Sequence, residues 1–137
     1  MKASKIFIRQ KIREMKYNHF PELLKKRIFI IFVEGEDFYM AVQKFWIFGY
    51  LLFVDLSMFE APRSAIIGCL AHELSHILDL GIRDERKIDQ IVIDRGFGKH
   101  LYELIKHNNR FYRKYKKKHG LTKKEVRKQL KELNMIS

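Results

Sequence analysis

The sequence predicts an α+β fold in which a small twisted β-sheet comes first and helices follow. Three observations predict this fold. Two short runs, 27–33 and 50–58, are rich in β-branched and aromatic residues, an apolar stretch at 61–80 carries helix signals, and helical patterns continue from there to the end. With 137 residues, 47% of them hydrophobic, the chain is long enough for a real core. Since no repeat or linker interrupts it, we expect residues 1–137 to form one domain.

The first element is predicted to be an amphipathic helix over residues 2–16. Ile8, Ile12 and Met15 recur among charged residues at the spacing of one helix face. Residues 18–26 then predict a turn with a short helical or irregular piece.

The predicted sheet occupies the next part of the chain. Residues 27–33 predict a buried strand, and 34–37 carry turn-forming residues. Residues 38–49 are ambiguous between helix and strand, although 45–48 favour a strand. Residues 50–58 predict a further strand, which we expect to be a sheet edge able to align an extended peptide. The aromatic side chains of this region are expected in the core.

Two helices are predicted after the sheet. Residues 61–80 predict the first of them, because Pro62 suits the first helical turn, an apolar run follows, and a glycine comes directly after the last residue. Asp84 suits the N-cap of a second helix over 85–95, which the glycines of 96–98 end.

The C-terminal part, residues 99–137, is predicted to be helical and basic. A long helix over 99–118 is broken at 119–120, and Thr122 with Glu125 forms a capping box for a final helix. The residues expected to face inward on that last helix are Val126, Leu130 and Leu133.

The most informative motif is His72-Glu73-Leu74-Ser75-His76, an H-E-x-x-H pattern inside the predicted apolar helix. Residues four apart leave the same helix face one turn apart, so both imidazoles can bind one Zn²⁺ ion. Glu73 is close enough to take a proton from a zinc-bound water. Unpaired polar groups in a core are costly, which favours a metal over a metal-free role for this set.

A catalytic zinc usually has three protein ligands and one open position. Glu85 and Asp89, four residues apart on the next predicted helix, can supply the third ligand. A simple helical-hairpin register places Asp89, rather than Glu85, beside His76. The alternative is that these carboxylates belong to a charged surface helix.

These residues resemble a known family. The spacing His72-Glu73-x-x-His76, then Glu85-x-x-x-Asp89, is similar to that of the gluzincin zinc metallopeptidases of the HtpX type, and the resemblance covers about residues 51–98. Eight residues separate the second histidine from the glutamate, fewer than that family usually has, and its membrane helices have no counterpart.

The resemblance implies a zincin-like fold and hydrolysis of peptide bonds in a peptide or protein substrate. It implies that His72, His76 and Glu85 bind zinc and that Glu73 is the general base. Asp89 then orients a histidine from behind, unless it replaces Glu85 as the ligand.

The charge of the chain suggests a second class of function. The net charge is +12, and residues 99–131 hold thirteen Lys or Arg against two acidic residues. Together with Phe111, Tyr112 and Tyr115, this composition predicts possible contact with nucleic acid or an anionic surface. The alternatives to a peptidase are therefore a basic nucleic-acid-binding module and a zincin-like pseudoenzyme with a structural metal.

The sequence also supports expectations about disulfides, localisation and oxyanion donors. The single Cys69 excludes an intramolecular disulfide and is expected to be a small core residue. Without a signal peptide or a transmembrane segment in the sequence, we expect a cytoplasmic protein. Arg95, His100 and Tyr102 are possible oxyanion donors, although a solvated role is favoured for each.

Overall fold

The structure is a computed structural model that describes residues 4–36, 38–111 and 120–135, with only the backbone described for 109–111. It confirms an α+β fold with a small mixed sheet. Within the described part, the strands are β1 (Ile28–Val33), β2 (Met40–Phe45) and β3 (Gly49–Asp55). The α-helices are α1 (Lys5–Asn18), α2 (Arg63–Leu78), α3 (Glu85–Val92), α4 (Gly98–Phe111) and α5 (Lys123–Glu132). Short 3₁₀ turns cover Pro21–Leu23 and Leu56–Glu60, and a π turn covers Ile93–Phe97.

The sheet has the order β1-β3-β2, with β1 parallel and β2 antiparallel to β3. The expectation that 50–58 forms an edge strand is therefore wrong. That strand ends at Asp55 and lies in the middle, because the ambiguous segment before it became β2 and pairs on its other side. The strand that lies at the edge near α2 is β2.

Side chains alternate between the two faces of the sheet. One face packs against the helices and contributes to the core: Ile28, Ile30, Phe32, Met40, Val42, Tyr50, Leu52 and Val54. The other face carries Phe29 and Ile31, both exposed, so β1 is half-buried and not the buried strand that was predicted.

Residues 45–48 do not continue as a strand, and their side chains are not in the core. Phe45 ends β2, and the next three residues form the turn of the β2–β3 hairpin, with Trp46 at a φ of 47°. Apolar composition predicted burial here, but a turn at the end of a two-strand hairpin has no neighbouring element to pack against.

The first helix and the motif helix formed as predicted. Ile8, Ile12 and Met15 of α1 are buried. In α2, Cys69 is a buried free cysteine, as expected. Gly68 allows α4 to cross α2 closely, because a Cβ atom there would lie 2.4 Å from the His100 carbonyl oxygen.

The later helices follow the sequence as far as they are described, with one correction; beyond Phe111 the predicted 99–118 helix lies outside the described residues. The Asp84 side chain caps α3, and the Thr122–Glu125 capping box starts α5. Val126 and Leu130 are buried, but Leu133 is exposed because α5 ends before it.

Two further predictions concern the aromatic residues of the basic part and the absence of a membrane-spanning helix. The predicted contacts of the Phe111 side chain, Tyr112 and Tyr115 lie outside the described residues. In the portion of the chain that is described, no helix is long and apolar enough to cross a membrane.

Candidate metal centre

The two motif histidines lie side by side on α2. Their ring centroids are 4.9 Å apart in an edge-to-face arrangement. This follows from the local helix geometry, since residues four apart share one face. Both side chains are about one fifth exposed, so they sit at the border between core and solvent.

Glu85, at the start of α3, meets both histidines. Its carboxylate lies 2.7 Å from His72 Nε2 and 3.2 Å from His76 Nε2. The ligand atoms of the three residues all lie within 4.8 Å of one another. A tetrahedral zinc ion with bonds near 2.1 Å holds its ligand atoms about 3.4 Å apart, which lies between the 2.7 Å and 4.8 Å limits of this donor set.

Proton affinity at His72 reflects these neighbours. Burial by itself lowers the pKa of His72, but hydrogen bonds to Asp89 and Glu85 outweigh it and raise the pKa to about 10. The same contacts with both histidines hold the pKa of the Glu85 carboxyl well below its usual range. The two carboxylates beside His72 therefore favour positive charge at this position.

Asp89 lies behind His72. Its Oδ1 atom is 2.9 Å from His72 Nδ1, and its Oδ2 atom accepts a 2.9 Å hydrogen bond from the backbone N–H of Leu121. The hairpin register had placed Asp89 beside His76, which is wrong. That argument required α3 to run back along α2, whereas Glu85 in the first turn of α3 already reaches both histidines.

Glu73 is nearly buried, with 8% of its surface exposed. Burial raises the pKa of its carboxyl, partly offset by the two neighbouring histidines and by a hydrogen bond from the backbone of Val42. A carboxylate with a raised pKa at the wall of a cleft is suited to proton transfer near neutral pH.

A groove of about 430 Å³ runs over the cluster. Its walls come from α2, from the start of β2, and from the loop between α2 and α3; the lining residues are Met40, Ala41, Val42, His72, Glu73, His76, Leu80, Ile82, Arg83 and Glu85.

The outer edge of β2 opens onto this groove. The Asp55 N–H donates to the Tyr39 carbonyl at 2.8 Å, and antiparallel pairing alternates from residue to residue. The main-chain groups of Met40, Val42 and Lys44 therefore point away from β3. The strand able to pair with an extended peptide is thus β2, and not the 50–58 segment predicted to do so.

Sequence reasoning missed three contributors to the site. The Val42 N–H, the Leu121 N–H and Gly120 all act through the backbone, which leaves no sequence signal. A Cβ atom at Gly120 would lie 2.1 Å from Asp89 Oδ2, so this position has no room for a side chain.

The possible oxyanion donors do not lie in the groove. Arg95 pairs with Glu22, and His100 hydrogen-bonds to Ser64 at 2.9 Å. Tyr102 contacts lysine side chains instead.

Comparison with known proteins gives no assignment: no protein-family model, no curated protein and no solved structure matches the chain. The candidate site is therefore defined by its geometry. Among the described residues, the cluster that could hold a metal ion consists of His72, His76 and Glu85.

Proposed function

We propose that this protein is a zinc-dependent metallopeptidase with a zincin-like site. The observation that supports the proposal most strongly is the convergence of His72, His76 and Glu85, with Glu73 beside them in the same groove. Two imidazoles and one carboxylate with an open fourth position are the donor set of a catalytic zinc site.

Zinc bound there would acidify a water molecule and polarise a substrate carbonyl. In the proposed reaction Glu73 takes a proton from the attacking water and delivers it to the leaving amine. Its near-burial and its hydrogen bond from Val42 hold the carboxylate at the groove wall.

Asp89 is proposed to position His72 and not to bind the metal. Its hydrogen bond holds the Nδ1 proton, which leaves the Nε2 lone pair of the neutral ring facing Glu85 and the groove. Leu121 in turn holds the second Asp89 oxygen.

An extended peptide segment is the substrate that the groove suits best. The outward main-chain groups of Met40 and Lys44, together with the Val42 carbonyl, can pair with a peptide backbone in the manner of an added strand, while the Val42 N–H donates to Glu73. Such pairing would carry the scissile carbonyl past the three proposed ligands.

The decisive experiment combines metal analysis with hydrolysis. We expect the zinc-loaded protein to contain one zinc per chain and to cleave an unfolded protein substrate. Glu73→Gln should keep the zinc and lose hydrolysis by about 10²–10⁴-fold, the usual contribution of a general base. Glu103→Gln, which changes a partly exposed glutamate on α4 outside the groove, is the matched control and should retain activity.

Two results would contradict the proposal. Full activity of Glu73→Gln would remove the proposed base, and a zinc-replete wild-type protein without any hydrolysis would favour the pseudoenzyme with a structural metal. The predicted nucleic-acid module depends on the basic residues of 99–137, many of which lie outside the described part.

A further inference from the structure

The β2–β3 hairpin ends in three exposed apolar residues, which we call the hairpin tip (residues 46–48). Trp46 is 73% exposed, Ile47 is 79% exposed and Phe48 is 50% exposed. Burying such side chains is favourable, and a contiguous exposed group of them usually marks a surface that contacts something.

The hairpin tip continues into the exposed face of the sheet. Phe48 packs on Phe45 at 5.6 Å between ring centroids, and Phe45 meets Phe29 edge-on at 6.4 Å. Ile31, also exposed, lies on the same face of β1 as Phe29. The apolar surface is therefore a connected patch and not a set of isolated side chains.

Four basic residues lie beside this tip. Lys25, Lys26, Arg27 and Lys44 line one surface depression together with the three tip residues, and no acidic residue lines it. Within the residues that the structure describes, none of these four cations takes part in an ion pair. We call these four residues the basic ring.

We propose that the hairpin tip and the basic ring dock onto an anionic phospholipid membrane. Trp and Phe side chains favour the boundary between headgroups and acyl chains. Lysine and arginine can lay their aliphatic stems along the apolar layer while their charges meet lipid phosphates. Attachment of this kind depends on both buried apolar area and attraction to anionic lipid.

The chemistry of the patch disfavours a second copy of the chain and nucleic acid as its partner. A second copy would bring two basic rings together, and their like charges would repel. Nucleic acid would also satisfy the positive charge, but single strands are bound by stacking on aromatic rings, and Ile47, the most exposed tip residue, has no ring to offer. Lipid accounts for both the charge and the aliphatic side chain.

The inference does not depend on the proposed peptidase activity. The patch lies at the far end of β2 from the metal centre, and no side chain of the hairpin tip or the basic ring lines the groove. A membrane-binding protein without hydrolytic activity would therefore satisfy this proposal, and a soluble peptidase would contradict it.

Trp46 is the only tryptophan of the chain, so its fluorescence reports directly on the hairpin tip. We expect a blue shift when the full chain is mixed with vesicles of phosphatidylcholine and phosphatidylglycerol, and little change with vesicles of phosphatidylcholine alone. Co-sedimentation with the same vesicles should give matching affinities, and added salt should weaken them.

Matched variants separate the two contributions. Ile47→Ser should weaken vesicle binding at least about tenfold, whereas Ile6→Ser, which changes another exposed isoleucine on α1, should leave it unchanged. Replacing Lys25, Lys26 and Lys44 together by Gln should weaken binding roughly a hundredfold, at about fivefold for each charge. Lys124, Lys128 and Lys131 of α5, replaced together by Gln, remove the same number of charges elsewhere and should weaken binding much less.

Three outcomes would overturn the proposal. The first is no change in Trp46 fluorescence with anionic vesicles. The second is an equal or larger change with single-stranded RNA, which would indicate nucleic-acid binding. The third is a blue shift that depends on protein concentration without lipid, which would indicate self-association.

Discussion

The Nδ1 atom of His72 on α2 lies 2.9 Å from the Oδ1 atom of Asp89 on α3. This contact joins the motif helix to a carboxylate that is almost completely buried and is itself held by the Leu121 backbone. A histidine that binds metal commonly donates its second ring N–H to such a carboxylate, which fixes the ring orientation and raises the basicity of the metal-binding nitrogen.

We predict that Asp89→Asn weakens zinc binding by about 10–100-fold without abolishing it. The amide can accept from His72 or from the Leu121 N–H, but its NH₂ group then faces the other donor. Competition with a chromophoric chelator measures the affinity. Asp94→Asn, an exposed aspartate away from His72, is the control, and equal zinc affinity in both variants would show that Asp89 has only a structural role.

Glu85 is expected to be required for the stabilisation that zinc confers. A ligand that binds only the folded state at a thousandfold excess over its Kd stabilises it by about 4 kcal/mol. Zinc should therefore raise the thermal midpoint of the wild-type protein, and this rise should shrink strongly in Glu85→Gln.

Comparing the zinc-induced rise within each protein removes the effect of the lost ion pair with His72 on the metal-free state. Glu132→Gln, at the end of α5, should behave as wild type. A full zinc response in Glu85→Gln would remove this residue from the proposed ligand set.

Gly120→Ala should disturb the metal centre through Asp89, which it contacts although the two residues are more than thirty positions apart in the sequence. Its methyl carbon would lie 2.1 Å from Asp89 Oδ2, so either the carboxylate or the 120–122 backbone must move. We expect a loss of about 1–3 kcal/mol of stability and weaker zinc binding.

A double-mutant cycle tests the physical cause. In an Asp89→Ala background, Gly120→Ala should reduce zinc affinity little further, because the carboxylate that its methyl group displaces is absent. Gly81→Ala is the matched control, since its methyl group would meet only the Asp79 carboxylate end at 3.0 Å. Fully additive losses would contradict the proposed route through Asp89.

The Glu22–Arg95 pair gives a pH prediction remote from the metal centre. Its hydrogen bonds with Arg95 lower the pKa of Glu22 to about 2. A carboxyl whose folded pKa is lowered stabilises the protein above its ordinary pKa near 4.5 and loses this contribution as the pH falls towards 2.

Because the pair is largely exposed, its contribution should be at most about 1 kcal/mol. Chemical denaturation of wild type and Glu22→Gln should show this difference near neutral pH and none at low pH. A difference that does not change with pH would mean that the substitution acts through packing and not through charge.

Much of the secondary structure could be predicted because its causes are local. The Ile8–Ile12–Met15 spacing, the Asp84 cap and the Thr122 capping box each depend on residues within one or two turns. The aromatic turn after Phe45 could not be placed this way, because composition alone does not say whether a neighbouring element will cover it.

Part of the candidate site could be predicted in the same way. The pairing of His72 with His76 follows from helix periodicity, and the resemblance favoured Glu85 over Asp89 for the third position. The register argument failed for Asp89, because the position of α3 against α2 is set by packing between helices and by the loop that joins them.

The sequence by itself determined the helix that carries His72 and His76, the candidate carboxylates, and the excess of positive charge. Only the tertiary structure decided that β2 is the strand beside the groove, that Asp89 lies behind His72, and that residues 46–48 stand exposed. The physical reason is the sequence separation of the interactions involved. Helix periodicity and capping act over a few residues, whereas strand order and helix docking depend on contacts between segments far apart in the chain.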